Sequence, residues 1–99
     1  MASLRIEAKY KKNGELGEAV AEVPFETGRH ELPKVYPFTK NQYLGPDAGY
    51  SLGWIHVDAE EKRLTFGFGE IVNLDENGRG HWREENRIGD FVEFDFSLI

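Results

Sequence analysis

Apolar and polar residues alternate with a period of two along most of this 99-residue chain. Near the start, Leu4 and Ile6 alternate with charged residues, and near the end Val92 and Phe94 alternate with acidic ones. This period is typical of strands with one buried face, because successive side chains of a strand point to opposite sides. No run of about eleven or more residues shows the helical period, so the pattern predicts an all-β chain.

The first hairpin is predicted by Asn13 and Gly14, because a two-residue hairpin turn needs positive φ at both central positions. The register that this turn sets matches apolar with apolar residues on one face. On the other face it places Lys9 opposite Glu18, an attractive pair. Apolar and charged pairs agree in one register, so we expect residues 3–24 to form one long hairpin.

A second hairpin is predicted around residues 59–62, with Asp58 opposite Arg63. Its core face then carries Ile55, Val57, Leu64, Phe66 and Phe68, and its other face carries Trp54, His56 and Asp58. We expect the returning strand to run unbroken from Arg63 to Asp75, with Gly67 and Gly69 leaving room for Trp54. A further turn at residues 75–80 is expected to pair residues 81–83 back onto residues 70–73.

Two other segments complete the predicted architecture. Pro33 lacks a ladder donor, so a strand within residues 29–36 belongs at an edge. Residues 37–50 show neither period and are predicted to be a loop ordered by its aromatic residues. Together the segments predict one all-β domain over residues 1–99, a compact sandwich or partly open barrel. It has six to seven antiparallel strands joined by hairpins and at most one short helical turn.

Composition and charge exclude several function classes. The chain has no cysteine, which excludes a disulfide scaffold and a thiolate site, and a cytoplasmic location is expected. No apolar stretch approaches the ~20 residues of a membrane span. The net charge is −6, and residues 70–99 alone carry −5. Because an acidic surface repels phosphates and anionic lipids, we expect neither a nucleic-acid nor a membrane partner.

Catalytic, metal and cofactor sites are not predicted. His56 and Asp58 share a strand face, but two ligands do not make a zinc site. No serine lies in a nucleophile-elbow motif, and Gly67 and Gly69 lack the third glycine and the helix of a phosphate-binding loop. The sequence therefore favours binding over catalysis.

The favoured hypothesis is a non-catalytic protein-binding domain, of the kind of an acidic inhibitor or immunity protein that occludes a basic site on its partner. The candidate binding residues are carboxylates near the C-terminus and an aromatic group, because acids steer association and tryptophan anchors it. They are Glu84, Glu85, Asp90, Glu93, Asp95, Trp54, His56, Asp58 and Trp82.

Three alternatives stay open. One is a small-ligand-binding β-barrel whose pocket is lined by Trp54, Phe66, Phe68, Tyr43 and Tyr50. A second is a homodimer formed through an exposed edge strand, either the Pro33 segment or the C-terminal strand. A small hydrolase is the third and least favoured. Trp54 itself is either a surface anchor or part of the core.

Overall fold

The computed structural model describes residues 2–38, 53–67 and 69–99. These residues form eight strands and no helix. In chain order the strands are β1 (Ser3–Lys12), β2 (Glu15–Pro24), β3 (Gly28–Glu31), β4 (Trp54–Asp58), β5 (Arg63–Phe66), β6 (Glu70–Asn73), β7 (Arg79–Glu85) and β8 (Phe91–Leu98).

The strands form two antiparallel sheets of four. Sheet A has the order β2-β1-β8-β7 and sheet B the order β3-β4-β5-β6. The sheets stack on a shared core and do not close into a barrel. The all-β prediction and the sandwich are therefore confirmed, with eight strands in place of six or seven.

The β1–β2 hairpin has the predicted register. Lys9 lies opposite Glu18 and Leu4 opposite Val23. Asn13 and Gly14 form the turn with φ of 53° and 84°, a conformation that asparagine and glycine adopt at low cost. The predicted pairing of Asp58 with Arg63 in the β4–β5 hairpin is confirmed as well.

The core lies between the two sheets and is rich in aromatic rings. Phe66 of sheet B packs against Phe94, Phe96 and Trp82 of sheet A, with ring centroids 6.0, 5.5 and 5.4 Å away. Burying each large side chain of this kind contributes about 1.5–3 kcal/mol to the free energy of unfolding. Phe66 of β5 thus joins sheet B to both β7 and β8 of sheet A.

The predicted single strand from Arg63 to Asp75 is wrong. The chain turns back after Phe66, and β6 pairs antiparallel to β5 with Thr65 opposite Ile71. Gly67 and Gly69 have φ of 59° and 96°, so they supply the left-handed conformations of the turn. Their role is to reverse the chain rather than to make room for Trp54.

The predicted pairing of residues 81–83 with residues 70–73 is also wrong, because β7 pairs with β8. Residues 74–78 carry the chain from sheet B to sheet A. The Asp75 carboxylate holds this crossing by accepting hydrogen bonds from the backbone N–H groups of Asn77 (2.8 Å) and Arg79 (3.0 Å). The Leu98 N–H donates to the Gly78 carbonyl at 2.9 Å, which joins the crossing to β8.

Edge positions settle two further predictions. β3 ends before Pro33 and is an edge of sheet B, as predicted. The C-terminal strand β8 lies inside sheet A between β1 and β7, so the prediction that it is an exposed edge is wrong. Of the predicted loop at residues 37–50, Pro37 and Phe38 are buried. The rest of that loop lies outside the described residues, including Tyr43, Tyr50 and any helical turn there, and so does Phe68.

Candidate functional site

The carboxylate of Asp90 is internal. The residue is 5% exposed, and its two oxygens accept the backbone N–H groups of Asn13 at 2.9 Å and Gly14 at 3.4 Å. Asp90 thereby supplies hydrogen-bond acceptors for the backbone N–H groups of the β1–β2 turn, although it lies 76 residues from Gly14 in the sequence. The Asp90 carboxylate is thus directed at this turn rather than at solvent, and its part in partner binding stays a prediction.

Glu93 is held by two side chains of the neighbouring strand β7. His81 Nε2 donates to Glu93 Oε2 at 2.6 Å, and Arg83 donates to Oε1 at 3.1 Å. The hydrogen bond and charge of His81, helped by Arg83, lower the pKa of the Glu93 carboxyl against a smaller opposing effect of burial. Glu93 is therefore ionised and largely neutralised by its neighbours.

The other three predicted carboxylates have different surroundings. Glu85 pairs with Arg83 at 2.6 Å, which raises the pKa of the Arg83 guanidinium. Asp95 is exposed on the outer face of sheet A, whereas Glu84 alternates to the opposite face and is half-buried. The fold does not gather the five predicted carboxylates into one patch.

The outer face of sheet A is nearly balanced in charge, because β1 places basic residues beside β8. Lys9 lies between Glu18 and Glu93, and Glu7 beside Asp95. The charged residues of this face are the acids Glu7, Glu18, Glu22, Glu85, Glu93 and Asp95 and the bases Arg5, Lys9, Lys11, Arg79 and Arg83. The negative charge concentrated in residues 70–99 is thus dispersed once the strands pair.

Trp54 lies half-buried on the outer face of sheet B. The Arg29 guanidinium stacks over its ring at 4.9 Å, and Arg29 also pairs with Glu31 at 3.2 Å. His56, two residues further along β4, and Ile71 on β6 are also exposed on this face, Ile71 to 56%. We call this surface the Trp54 face and define it by Arg29, Trp54, His56, Thr65 and Ile71. Trp54 is therefore a surface residue with a partly covered ring.

Trp82 belongs to the core. Its ring packs against Phe66 at 5.4 Å and stacks on Phe94 at 5.5 Å. The sequence placed Trp82 with Trp54 among the candidate binding residues. In the structure the Trp82 ring contacts core side chains instead of lying on the Trp54 face. The two tryptophans lie on different sheets and on opposite sides of the packed layer.

Sequence reasoning missed a second acidic surface, formed by three connections at one end of the sandwich. The Ala59 N–H donates to Thr27 Oγ1 at 3.0 Å, and the Leu74 N–H donates to the Lys62 carbonyl at 2.8 Å, so these connections lie together. Their exposed carboxylates are Glu26, Glu60, Glu61, Asp75 and Glu76, and the exposed bases within or directly beside them are Lys62, Arg63 and Arg79. We call this surface the loop end. The sequence contained its signal in the acid pairs at residues 60–61 and 75–76, which lie within the predicted turns.

Aromatic side chains also gather under the tip of the β1–β2 hairpin. The Tyr10 and Tyr36 rings meet edge to face at 4.5 Å, and the Lys12 ammonium lies 4.4 Å from the centre of the Tyr36 ring. A surface groove of about 500 Å³ opens here. The Tyr36 hydroxyl is buried without a hydrogen-bond partner, and burial, with Tyr10 and Asp90, raises its pKa. The hydroxyl stays neutral and is not reachable from the groove.

Two of the residues predicted to line a ligand pocket, Phe66 and Trp54, lie on opposite faces of sheet B, since Phe66 is fully buried in the core and Trp54 is on the outer face. The two sheets do not close into a barrel. The other predicted lining residues, Phe68, Tyr43 and Tyr50, lie outside the described residues. In the described part of the chain, no three or more His, Cys, Asp or Glu side chains lie close enough together to hold a metal ion. His30 is occupied locally, since its Nε2 donates to the Glu26 carbonyl at 2.8 Å.

Comparisons with models of known protein families, with curated proteins and with solved structures found no match to this chain. Within residues 2–38, 53–67 and 69–99, no helix has the length and apolar character needed to cross a bilayer.

Proposed function

We propose that this chain is a non-catalytic protein-binding domain whose partner presents a basic surface. The observation that carries the proposal is the position of the Trp54 face beside the loop end. β4 begins at Trp54 and ends at Asp58, and the acidic turn with Glu60 and Glu61 follows directly. One side of sheet B thus combines an aromatic anchor with an acidic border.

The two parts contribute differently to binding. Tryptophan and arginine are enriched among the residues that dominate binding energy, so Trp54 with Arg29 is the anchor. Exposed carboxylates at the rim act mainly on the association rate and on its salt dependence, so the loop end steers the approach. Binding of this kind occludes the partner's basic site, as an inhibitor or immunity-type protein does.

The predicted carboxylates of β7 and β8 take minor roles in this proposal. Glu85 and Asp95 are exposed on sheet A, on the side of the molecule opposite the Trp54 face. His56 and Asp58 remain contact candidates, although Asp58 also accepts the Glu61 N–H at 3.1 Å. A chain without cysteine needs no oxidising compartment, so the proposal assigns the interaction to the cytoplasm.

The test is capture from native extract by immobilised wild-type protein and three matched variants, at low and high salt. Trp54→Ala removes the anchor, and Glu60→Lys with Glu61→Lys reverses the steering charge. Ile88→Ala, in the β7–β8 turn, is the control because it removes exposed apolar area away from both the Trp54 face and strand β2. Captured proteins are identified and quantified by mass spectrometry.

We expect a protein that wild type and the control retain at low salt and that Trp54→Ala loses about tenfold or more, the size of a binding hot spot. The charge-reversed variant should lose it at low salt and approach wild type at high salt. If Trp54→Ala and wild type capture the same proteins in equal amounts, the proposal is wrong.

A further inference from the structure

Strand β2 is a terminal strand of sheet A and has ten residues, twice the length of β4. Its two-residue turn makes Lys12 and Glu15 a hydrogen-bonded pair, so the odd-numbered residues of β2 form the ladder to β1. The N–H and C=O groups of its even-numbered residues therefore point away from β1. They form a row that an added strand can pair with.

The side chains of that row alternate between apolar and acidic. Leu16 is 76% and Val20 52% exposed, and Glu18 and Glu22 lie between and beyond them, also exposed. Residues 13–28 contain four glutamates and no basic residue. An added strand would therefore meet apolar and negatively charged neighbours in turn.

Two shallow grooves run beside this row on the outer face of sheet A. One, of about 290 Å³, lies between Leu16, Glu18 and Phe91, with Lys9 also in its lining. The other, of about 210 Å³, lies along Glu18 and Val20 and is lined by Arg5, Glu7 and Lys9 on the β1 side. Side chains of an added strand could reach over β2 into both grooves. The grooves could therefore discriminate between side chains, in addition to the hydrogen bonds that β2 makes to the backbone.

A second copy of the chain is a poor occupant of this edge. Antiparallel pairing of β2 with itself brings together two strands that each carry Glu15, Glu18 and Glu22 and no base. Like charges in neighbouring strands are destabilising. Lys9 and Arg5 of β1 lie opposite Glu18 and Glu22 on one side, but the open side of β2 carries no base, so an added strand with lysines at these positions gives each glutamate a second basic neighbour.

We propose that the β2 edge binds an extended basic segment of a partner protein, which joins sheet A as a fifth strand. The segment has basic and apolar residues alternating at every second position, opposite Glu22, Val20, Glu18 and Leu16. Backbone hydrogen bonds supply affinity and the side-chain pairs supply specificity, as in other cases of strand addition. The inference rests on the proposed function in requiring a protein partner, but it uses a different surface from the Trp54 face.

The probe is a dye-labelled, end-capped peptide of sequence Lys-Thr-Val-Thr-Lys-Thr-Val, and binding is measured by fluorescence anisotropy. In antiparallel order its lysines lie opposite Glu22 and Glu18 and its valines opposite Val20 and Leu16. A second peptide, N-methylated at both valines, keeps every charge but lacks two of the hydrogen bonds to β2. This comparison needs no variant of the protein.

We expect N-methylation to weaken binding about tenfold or more. The double variant Glu18→Gln/Glu22→Gln should weaken it by a similar factor. The matched control Glu60→Gln/Glu76→Gln removes the same charge at the loop end and should change binding less than about twofold. Trp54→Ala should leave peptide binding unchanged.

Three results would overturn the inference: equal binding of both peptides, equal weakening by the two double variants, or a dimer in sedimentation that Glu18→Gln/Glu22→Gln strengthens. The last result would make the edge a self-association surface that its glutamates restrain. Failure here leaves Trp54-dependent capture from extract unaffected. Conversely, loss of Trp54 dependence with intact peptide binding removes the Trp54 face alone.

Discussion

At the scale of single residues, Asp90 links the β1–β2 turn to the β7–β8 turn at one end of sheet A. Its carboxylate accepts the N–H groups of Asn13 and Gly14, and its backbone N–H donates to Asn86 Oδ1 at 2.9 Å. The acidic side chain thus stabilises the β1–β2 turn, while the Asn86 side chain stabilises the β7–β8 turn through the Asp90 backbone. The charge of Asp90 is compensated by hydrogen bonds to backbone amides rather than by a basic side chain.

We expect Asp90→Ala to lower the free energy of unfolding by about 1–3 kcal/mol, because two partly buried N–H groups lose their acceptor. The measurement is denaturant unfolding followed by tryptophan fluorescence. Asp95→Ala is the control, since this exposed carboxylate on the same segment should change stability by less than about 0.5 kcal/mol. Equal effects of the two variants would contradict the role assigned to Asp90.

Glu93 gives the fold a defined response to acid. His81 and Arg83 lower its pKa in the folded state, so the folded protein binds this proton less tightly than the unfolded chain does. The stabilisation is complete above the ordinary glutamate pKa of about 4.3 and is lost as the pH falls through the lower folded value. We therefore expect the stability of wild type to fall more steeply between about pH 5 and pH 3 than that of Glu93→Gln.

The check is urea unfolding of both proteins at several pH values, with Asp95→Asn as the control for loss of one negative charge. A wild-type slope equal to that of Glu93→Gln would show that the interactions of His81 and Arg83 with Glu93 add nothing to the acid response. The sequence predicted Glu93 as a surface contact, since nothing local shows that β7 brings two donors to it.

At the scale of elements, the hairpins with clear turn chemistry were predicted in full register. In β1–β2 the turn residues, the apolar alternation and the Lys9–Glu18 pair all select the same alignment. The turn after Phe66 was missed because Gly67 and Gly69 occur within a continuing apolar pattern. Glycines there fit a strand interior as well as a turn, and only pairing with β6 distinguishes the two.

Gly80 of β7 lies against Val72 of β6 and Leu74, and the packing of the two sheets at this position requires a residue without a side chain. A Cβ atom at this position would lie 2.6 Å from Val72 Cγ1 and 3.1 Å from Leu74 Cδ2. We expect Gly80→Ala to cost about 1–3 kcal/mol, because a short branched side chain such as Val72 can move only with its backbone. Thermal unfolding measures the effect.

Ile71→Ala is the matched control for Gly80→Ala. It lies beside Val72 on β6 but is 56% exposed, so its truncation should change stability by less than about 0.5 kcal/mol. A Gly80→Ala protein as stable as wild type would mean that the sheets can separate at this side without loss of packing.

At the scale of the whole molecule, strand order decides where charge appears. The sequence concentrates negative charge in its last thirty residues, but β8 pairs with the lysine-bearing β1, and the outer face of sheet A becomes mixed. Acids from three connections far apart in sequence meet at the loop end instead. Strand order depends on packing between distant segments. The sequence could therefore predict that acidic and aromatic residues form the candidate site, but not on which surface of the fold they come together.

The predicted aromatic candidates illustrate the same limit. Alternation placed Trp54 correctly on the outer side of β4, because its neighbours Ile55 and Val57 face the core. Trp82 has no such local signal, since its strand also alternates but contains no flanking apolar residues to fix the buried side. Its burial depends on Phe66, a residue of the other sheet.

The place of β8 between β1 and β7 has a consequence for the order of assembly. Sheet B is built from residues 28–73, and its strands pair with neighbours in chain order, so each of its pairings can form as its segments are synthesised. Sheet A needs Leu4 beside Leu98, two residues that lie far apart in the sequence. Pairing across such a separation is slow. During synthesis the apolar faces of the β1–β2 hairpin and of sheet B therefore stay incompletely covered until β8 pairs with β1 and β7.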